Sequence, residues 1–254
     1  MSKSFDPKFI VSLIDLTSLN DSDVVADIQQ LACDAVNPLG MVAALCVYPR
    51  FVQTAKEALS RQQVKIRVAT VANFPHGSDD ARSAALEVSA AISAGADEVD
   101  VVFPWRALQS GREQPGRDLV DACRKAAGDR VLKVIIESGC LDTPERIRRA
   151  SELAIEGGAD FLKTSTGKVS VNASLHAAEV MMQAIAESGR HVGFKAAGGI
   201  RTSLEASAYL DLAQRIMGTD WVQPNHFRFG ASGLLQDLLL TAGQGARNVS
   251  AANY

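Results

Sequence analysis

The stretch Phe161-Leu162-Lys163-Thr164-Ser165-Thr166-Gly167-Lys168 places a lysine in the middle of a segment that is otherwise typical of a buried strand. It follows Gly157-Gly158-Ala159-Asp160, which is typical of the helix end and short turn before a strand in a βα repeat. An ammonium group in an apolar interior is costly unless it is paired. We therefore expect Lys163 to pair, to lose its proton or to do both, and a neutral lysine is a nucleophile.

Similar β-rich runs recur at nearly even steps along the chain and predict eight strands. They cover residues 9–17, 41–47, 66–72, 98–103, 131–138, 161–166, 192–197 and 227–231. Helical segments lie between most of them, and this alternation predicts parallel strands. A doubly wound sheet more often has roughly five to seven strands and a Gly-x-Gly-x-x-Gly first turn, which is absent here. The predicted fold is α/β, a single (β/α)8 TIM barrel over residues 1–254 with a flexible tail at 243–254.

Capping signals place the start of three of the helices. Ser78 or Asp79 is the expected N-cap of the helix after strand three. Thr143, followed by Pro-Glu, begins another helix, and Thr202 with Glu205 forms a capping box for a third. These helices fall where a βα repeat requires them.

Composition excludes several classes of protein. The chain has 254 residues, of which 47% are hydrophobic and 22% charged, as expected of one large globular domain. A net charge of −3 with scattered basic residues gives no sign of a nucleic-acid surface. The four cysteines lack zinc or disulfide spacing, and no apolar run reaches the roughly 18 residues of a membrane span. The start of the chain also lacks the apolar core of a secretion signal, so we expect a cytoplasmic protein without membrane or nucleic-acid partners.

A weak internal repeat links Lys163 to a carboxylate. Gly95-Ala96-Asp97 and Gly158-Ala159-Asp160 lie about two βα units apart. The third residue after each aspartate is Asp100 in one case and Lys163 in the other. Alternate strands of a TIM barrel supply one layer of inward side chains, so strands four and six can bring these two groups together. Strand seven adds Lys195.

Two inward lysines and an aspartate can be a structural ion-pair network or a catalytic site. A single buried pair fits either interpretation, whereas three charges in one pore favour chemistry. Desolvation and a second ammonium group both disfavour the protonated form of Lys163, which prepares its amine to attack a carbonyl carbon and form a Schiff base. Asp100 and Lys195 would then move protons through the carbinolamine, imine and enamine steps.

The loops after strands seven and eight are where this fold usually holds a phosphate group. Gly198-Gly199-Ile200-Arg201 offers backbone N–H groups and a guanidinium. Gly230-Ala231-Ser232-Gly233 precedes a predicted helix over 234–240, whose amino terminus attracts anions. A lone Gly-Gly is usually only a turn, but two such loops at these positions, with Lys168 after Gly167, predict a phosphate site.

Seven short motifs occur in order along the chain: Ile14-Asp15-Leu16-Thr17, Cys46-Val47-Tyr48-Pro49-Arg50, Asn73-Phe74-Pro75-His76-Gly77, Val99-Asp100-Val101-Val102, Lys163-Thr164-Ser165-Thr166-Gly167, Gly193-Phe194-Lys195 with Ala197-Gly198-Gly199, and Phe229-Gly230-Ala231-Ser232. Together they resemble the motifs of deoxyribose-phosphate aldolases. The resemblance covers nearly the whole chain, extends to the longer enterobacterial-type members, and is highly specific because the motifs occur in order.

The resemblance implies a class I aldolase that reversibly cleaves 2-deoxy-D-ribose 5-phosphate to D-glyceraldehyde 3-phosphate and acetaldehyde without metal or cofactor. It implies Lys163 as the Schiff-base lysine and Asp100 with Lys195 as the proton donor and acceptor pair. Asp15 and Thr17 match residues near the substrate hydroxyls. The implied phosphate-binding residues are Gly167, Lys168, Gly198, Gly199, Arg201 and Ser232, and Gly230 and Gly233 are also expected to bind substrate.

The resemblance also implies a homodimer, a role in deoxynucleoside catabolism, and a C-terminal tyrosine, here Tyr254, that reaches the barrel mouth to assist proton transfer. The small, polar composition of the tail alone predicts disorder. Two positions depart from the family pattern. Ala196 stands in place of a proline, and Gly233 stands in place of a second serine. Losing that hydroxyl predicts weaker phosphate discrimination by about 1 kcal/mol, the usual size of one hydrogen bond.

Three side chains stay open at this stage. Cys46 is expected to be a small buried hydrophobe rather than a reactive thiol. Glu137 is placed near the pocket, and strand parity does not decide whether Lys133 points inward.

Other functions are weighed against the aldolase. A metal-dependent aldolase needs clustered ligands, and the four histidines lie in four separate segments. A sugar-phosphate isomerase of the same fold would leave the lysine of strand six unexplained. A non-catalytic phosphosugar-binding barrel would bind ligand without turnover.

Overall fold

The predicted runs close into a barrel in the computed structural model, which describes residues 5–243. The eight barrel strands are β1 Ile14–Ser18, β2 Ala44–Val47, β3 Arg67–Ala72, β4 Glu98–Val102, β5 Val131–Ile135, β6 Phe161–Lys163, β7 Gly193–Ala197 and β8 Phe227–Ala231. Each strand pairs in parallel with the next, and β8 pairs in parallel with β1 to close the barrel. The predicted (β/α)8 barrel is therefore confirmed.

Helices surround the barrel and cover the outward side chains of its strands. They are α1 Pro7–Ser12, α2 Val25–Asp34, α3 Val52–Arg61, α4 Ala81–Ser93, α5 Trp105–Gln109, α6 Gln114–Ala127, α7 Pro144–Glu156, α8 Leu175–Ser188, α9 Ser203–Met217 and α10 Gly233–Thr241. Short 3-10 helices lie at Pro49–Phe51 and Thr219–Trp221. Within residues 5–243, no helix combines the length and the apolar character that crossing a membrane requires.

Two of the three predicted helix starts are confirmed, and one is wrong. The side chain of Thr143 caps α7, and the capping box of Thr202 begins α9. The N-cap of α4 is Asp80, whose side chain accepts a hydrogen bond from the Ser83 N–H. Ser78 does not cap this helix because its backbone and hydroxyl both donate to Asn73 Oδ1.

The boundaries of the first two strands also differ from the prediction. Residues 7–12 form α1 rather than a strand, because Asp6 caps a helix that has a proline at its first position. Met41 pairs with Val36 in a separate two-stranded hairpin formed by Val36–Asn37 and Gly40–Met41. The second barrel strand therefore begins later than predicted.

The internal repeat has a structural basis. The Asp97 N–H donates to the carbonyl of Val68, and Asp97 Oδ2 accepts from the N–H of the same residue, both at 2.8 Å. Asp160 makes the same two contacts with Leu132, again at 2.8 Å. Each aspartate thus fixes the entry of its strand against the preceding one, which places β4 and β6 at equivalent heights in the barrel.

Candidate active site

The three side chains expected to carry the chemistry meet inside the barrel. Lys163 Nζ lies 3.1 Å from Asp100 Oδ2, and Lys195 Nζ lies 2.9 Å from the same oxygen. All three side chains are at most 1% exposed. Lys163 is the last residue of β6, so its amine lies toward the carboxyl-terminal mouth of the barrel. The prediction that strands four, six and seven bring these groups together is confirmed.

Lys133 points into the barrel, which answers the question that strand parity left open. Its ammonium lies 2.7 Å from Asp100 Oδ1 and 2.6 Å from Glu98 Oε2. Asp15 Oδ2 is more distant, at 3.8 Å. Asp100 therefore holds Lys133 on one oxygen and shares its other oxygen between Lys163 and Lys195.

Arg228 completes a closed circuit of alternating charges. Its guanidinium donates to Asp15 Oδ1 and lies 3.3 Å from Glu98 Oε1. Asp15 Oδ2 in turn lies 2.5 Å from Lys195 Nζ. We call this circuit the charged ring, which consists in order of Asp15, Arg228, Glu98, Lys133, Asp100 and Lys195.

The members of the charged ring hold one another in their ionised forms. Burial by itself would raise the pKa of Asp100, but the ammonium groups of Lys133 and Lys195 hold it well below its usual value. Burial also opposes ionisation of Asp15, whose pKa is nevertheless lowered, first of all by Lys195. Conversely, burial would lower the pKa of Lys195, whereas Asp100 and Asp15 raise it well above the usual value. The pKa of Lys133 is also raised, mainly by Asp100 acting against burial.

The charged ring is electrically balanced without Lys163. It contains three carboxylates and three cations, all with side chains at most 1% exposed. A protonated Lys163 would add a fourth buried cation that has to share Asp100 with Lys195. Buried charges without a full counter-charge are unfavourable. The amine of Lys163 therefore lies outside the balanced ring, in contact with one of its carboxylates.

Strand geometry explains how the sequence builds the ring. Glu98 and Asp100 are two residues apart on β4, so their side chains leave the strand on the same face. Gly230 on β8 makes room for a neighbour, because a Cβ at this position would lie 3.0 Å from Lys195 Cε. This predicted substrate-binding glycine thus lies directly against the side chain of Lys195.

The predicted phosphate residues lie on loops at the barrel mouth. Gly198 and Gly199 have φ values of +86° and +89°, and a Cβ at Gly198 would lie 2.7 Å from Asn172 Cβ. A Cβ at Gly233 would lie 3.9 Å from Arg201 Cγ, so the loops after β7 and β8 are neighbours. Arg201 is exposed.

The same loops receive the amino terminus of a helix. Ser232 is the N-cap residue of α10, a nine-residue helix that begins at Gly233. The helix amino terminus and the guanidinium of Arg201 therefore lie at adjoining loops, as a phosphate-binding arrangement requires.

Lys168 follows Gly167 in the loop after β6 and lies away from the charged ring. Its side chain is exposed, and Lys168 Nζ donates to the carbonyl of Leu19 at 2.6 Å. This contact spans the mouth from the loop after β6 to the segment after β1. This placement separates Lys168 from the buried amine of Lys163.

Asp15 and Thr17 lie on β1, and both are buried. Thr17 Oγ1 donates to the backbone carbonyl of Asp15 at 2.7 Å. The carboxylate of Asp15 is a member of the charged ring, which the sequence prediction of a hydroxyl contact did not anticipate. Tyr254, the predicted tail residue, lies outside the described residues.

Glu137 links the end of β5 to the loop after β6. Its φ is +57°, an uncommon value for a residue with a side chain, and its carboxylate accepts from Thr166 N and Oγ1 at 3.1 and 2.6 Å. Burial raises the pKa of this carboxyl group. Glu137 is therefore part of the mouth, as predicted.

Cys46 is fully buried in a small apolar cluster with Leu19, Ala69 and Val71. Burial raises the pKa of its thiol. The expectation of an unreactive hydrophobe is therefore supported. Among residues 5–243, His, Cys, Asp and Glu side chains form no group of three that could hold a metal ion.

Glu98 and Arg228 are the site residues that sequence reasoning missed. Both carried a signal, because each is a charged residue inside a run predicted to be a buried strand, as Lys163 is. Arg228 stands between two phenylalanines, and Glu98 stands two residues before Asp100. The test applied to Lys163, that a buried charge requires a partner, would have singled out both.

Comparisons with known proteins agree with this geometry. A family model described as DeoC/LacD family aldolase matches residues 9–237. A protein from Toxoplasma gondii ME49, provisionally named a deoxyribose-phosphate aldolase, has a TM-score of 0.86 and 26% identity over 96% of this chain and 98% of that one. A Coccidioides immitis protein with the same provisional name has a TM-score of 0.81 and 28% identity over 94% and 88% of the two chains.

More distant similarity extends to the deoxyribose phosphate aldolase of Aeropyrum pernix, described as tetrameric. It shares the fold, with a TM-score of 0.77 and 22% identity over 94% of this chain and 93% of that one. The family match covers most of the chain, including every strand that carries the charged ring. The protein thus belongs to the DeoC/LacD family of aldolases.

Proposed function

We propose that this aldolase is a class I, Schiff-base enzyme that reversibly cleaves 2-deoxy-D-ribose 5-phosphate to D-glyceraldehyde 3-phosphate and acetaldehyde. The observation that carries the proposal is the buried amine of Lys163, 3.1 Å from Asp100 Oδ2 and above a ring that is already balanced. A free amine beside a carboxylate that can accept and return protons is the arrangement that imine chemistry needs.

Lys163 begins the reaction by attacking C1 of the open-chain sugar. Its nitrogen forms a bond to that carbon, and the carbonyl oxygen leaves as water after receiving two protons, which yields a protonated imine. Asp100 Oδ2 contacts both Lys163 Nζ and Lys195 Nζ, so Asp100 and Lys195 can supply and accept these protons. The imine then withdraws electrons from the C2–C3 bond.

Cleavage follows when the hydroxyl on C3 loses its proton. The C2–C3 electron pair moves toward the imine, which leaves an enamine on Lys163 and releases the phosphorylated aldehyde. Protonation of C2 regenerates an imine, and water releases acetaldehyde and the free amine. Both proton transfers are assigned to Asp100 and Lys195, because Asp100 Oδ2 contacts the amines of both Lys163 and Lys195.

The mouth loops hold the phosphate in this proposal. Arg201 and Lys168 supply positive charge, and the amino terminus of α10 supplies N–H groups next to Ser232. Because these groups lie on loops after the strands, they bind the end of the substrate that does not react. The chemistry and the recognition of phosphate are therefore assigned to separate layers of the barrel.

Several further properties belong to the same proposal. The enzyme acts without metal or cofactor, as a cytoplasmic homodimer of the enterobacterial type, in the breakdown of deoxyribose phosphate. Light scattering of the purified protein tests the dimer, because a tetramer like that described for the Aeropyrum pernix protein would give twice the mass.

The alternatives are an isomerase and a non-catalytic binding barrel. An isomerase would leave the amine of Lys163 without a task, and membership of an aldolase family gives no support to either alternative. Product formation decides the question. Incubation with 2-deoxy-D-ribose 5-phosphate should yield both aldehydes, and sodium borohydride should inactivate the enzyme only when substrate is present. Turnover that resists borohydride, or no turnover at all, would contradict the Schiff-base proposal.

A further inference from the structure

Beneath Asp100, the charged ring extends to a buried ion pair that no step of the proposed reaction uses. Glu98 is the first residue of β4, and Arg228 is the second residue of β8, so both lie toward the amino-terminal end of the barrel. Their charged groups are 3.3 Å apart, and both side chains are at most 1% exposed. Burying an ion pair often adds little net stability, so stability alone does not explain this pair.

The pair supports both carboxylates nearest to the chemistry. Arg228 donates to Asp15, and Glu98 Oε2 lies 2.6 Å from the ammonium of Lys133. Lys133 in turn holds Asp100, the partner of Lys163. A change of charge at either member of the pair is therefore transmitted through a low-dielectric interior to the reacting amine.

We propose that Glu98 and Arg228 are positioning residues that set the net charge of the ring beside Lys163, and thereby the pH range in which the enzyme is active. The inference rests on the proposed Schiff-base function. A purely structural ion pair need not affect the amine of Lys163. In this proposal its two charges affect that amine with opposite signs.

The groups that face the pair come from several strands. Asp15 on β1 and Lys133 on β5 have been described, and the Arg228 guanidinium lies 5.7 Å from the centre of the Phe161 ring on β6. The Nε of Arg228 also donates to the carbonyl of Pro224. Beyond these groups, β3 contributes one cation that reaches the surface.

That cation is Arg67, whose Nη1 lies 3.1 Å from Glu98 Oε1 while its side chain is 47% exposed. Arg67 lines a surface cavity of about 590 Å³ at the amino-terminal end of the barrel, together with Lys56, Lys65 and Asp97. Arg67 therefore brings a half-exposed positive charge against a buried carboxylate of the ring, on the face opposite the mouth.

Two substitutions test the sign of the effect on the acid limb of the kcat/KM profile, where activity rises as Lys163 loses its proton. Glu98→Gln removes a negative charge and should move the limb about one unit to lower pH. Arg228→Gln removes a positive charge and should move it about one unit to higher pH. The double variant restores the balance and should return the limb to the parental position.

A third substitution covers the case in which the buried single variants do not fold. Arg67→Gln alters a half-exposed side chain and should move the limb to higher pH by less than Arg228→Gln does, with a smaller shift at high salt. Arg61→Gln is the matched control, because Arg61 is 70% exposed and pairs only loosely with Glu57 at 3.8 Å. The control should leave the limb in place.

The outcomes separate this inference from the proposed function. Single variants that shift in the same direction, a double variant that does not return, or equal profiles for Arg67→Gln and Arg61→Gln would overturn the inference. Borohydride labelling of the parental enzyme is run alongside. If Lys163 is labelled and the limbs do not move, only the inference fails, whereas absence of label on Lys163 defeats both.

Discussion

The charged ring and the mouth loops solve different problems with different parts of the chain. The ring is made of long charged side chains on strands, all buried, each held by two or more partners. The mouth uses glycine backbone, a helix terminus and exposed cations on loops. Strands fix geometry more tightly than loops do, so we propose that bond making takes place at Lys163 beside the ring and substrate recognition at the mouth.

The strongest way to break this division is to remove the nucleophile. Lys163→Leu should lower kcat by about 10⁴-fold or more and abolish borohydride trapping, since the other amines beside Asp100, those of Lys133 and Lys195, have raised pKa values that hold them as ammonium groups. The matched control is Lys168→Leu, which removes an exposed lysine of the mouth. It should retain trapping and chiefly raise KM for phosphorylated substrate. Loss of trapping in the Lys168→Leu variant would contradict the assignment of Lys163 as the nucleophile.

Lys195→Leu probes the ring without destroying it. Asp15 keeps Arg228 and Asp100 keeps Lys133, so the variant should fold. We expect kcat to fall by about 10²–10³-fold, the usual range for a lost proton-transfer group. Loss of a positive charge should also move the acid limb of kcat/KM to higher pH. A parental pH–rate profile would rule out this role.

Low pH should reduce the contribution of the charged ring to folding stability, rather than that of the mouth loops. The pKa values of Asp15 and Asp100 are lowered in the folded state, so their contribution to stability is present above about pH 4 and is lost as pH falls toward the folded values. Burial raises the pKa of Glu137, which therefore favours the folded state more as pH falls. Guanidinium melts at pH 7 and pH 3 should show the unfolding constant rising roughly 100-fold at the lower pH. Equal midpoints would contradict the ionised ring.

Changes at the mouth should affect binding and spare the chemistry. Arg201→Ala and Ser232→Asp should each raise KM for phosphorylated substrate about tenfold, because they remove or repel contacts to the phosphate. Substrates without phosphate should be unaffected by Arg201→Ala and helped, if changed at all, by Ser232→Asp. Steady-state kinetics with both substrates makes the comparison. If the two substrates lose activity equally, the phosphate assignment is wrong.

The smallest expected effect concerns Tyr254, which lies outside the described residues. Tyr254→Phe should slow turnover and proton exchange at the enamine carbon several-fold, because the resemblance implies that this phenol assists proton transfer. Borohydride trapping and the melting temperature should stay parental, since neither depends on the phenol. Exchange measured by NMR in deuterated buffer at the parental rate would leave the tail without a role.

Much of this organisation could be predicted from the sequence. Even spacing of β-rich runs predicted the barrel, and the repeated Gly-Ala-Asp turns predicted that Asp100 and Lys163 lie at one height. That prediction succeeded because Asp97 and Asp160 fix their strands through identical backbone contacts. Local sequence therefore specified a long-range distance between two strands.

The remaining errors arise where local patterns do not determine register. The direction of Lys133 depends on the residue at which β5 starts, and the predicted run from 131 to 138 extended past the strand end at Ile135. Arg228 was taken for part of an apolar strand because both of its neighbours are phenylalanines. Its partners Asp15 and Glu98 are far away in sequence, so only the closed barrel brings them together.

The most direct test of the account is to identify which lysine carries the imine. The enzyme is reduced with borohydride in the presence of acetaldehyde, digested, and its peptides are mapped by tandem mass spectrometry. We expect a single ethyl group, on Lys163. An ethyl group on Lys133, Lys168 or Lys195 instead would contradict it, because it would place the free amine among the groups assigned to charge balance, phosphate binding or proton transfer.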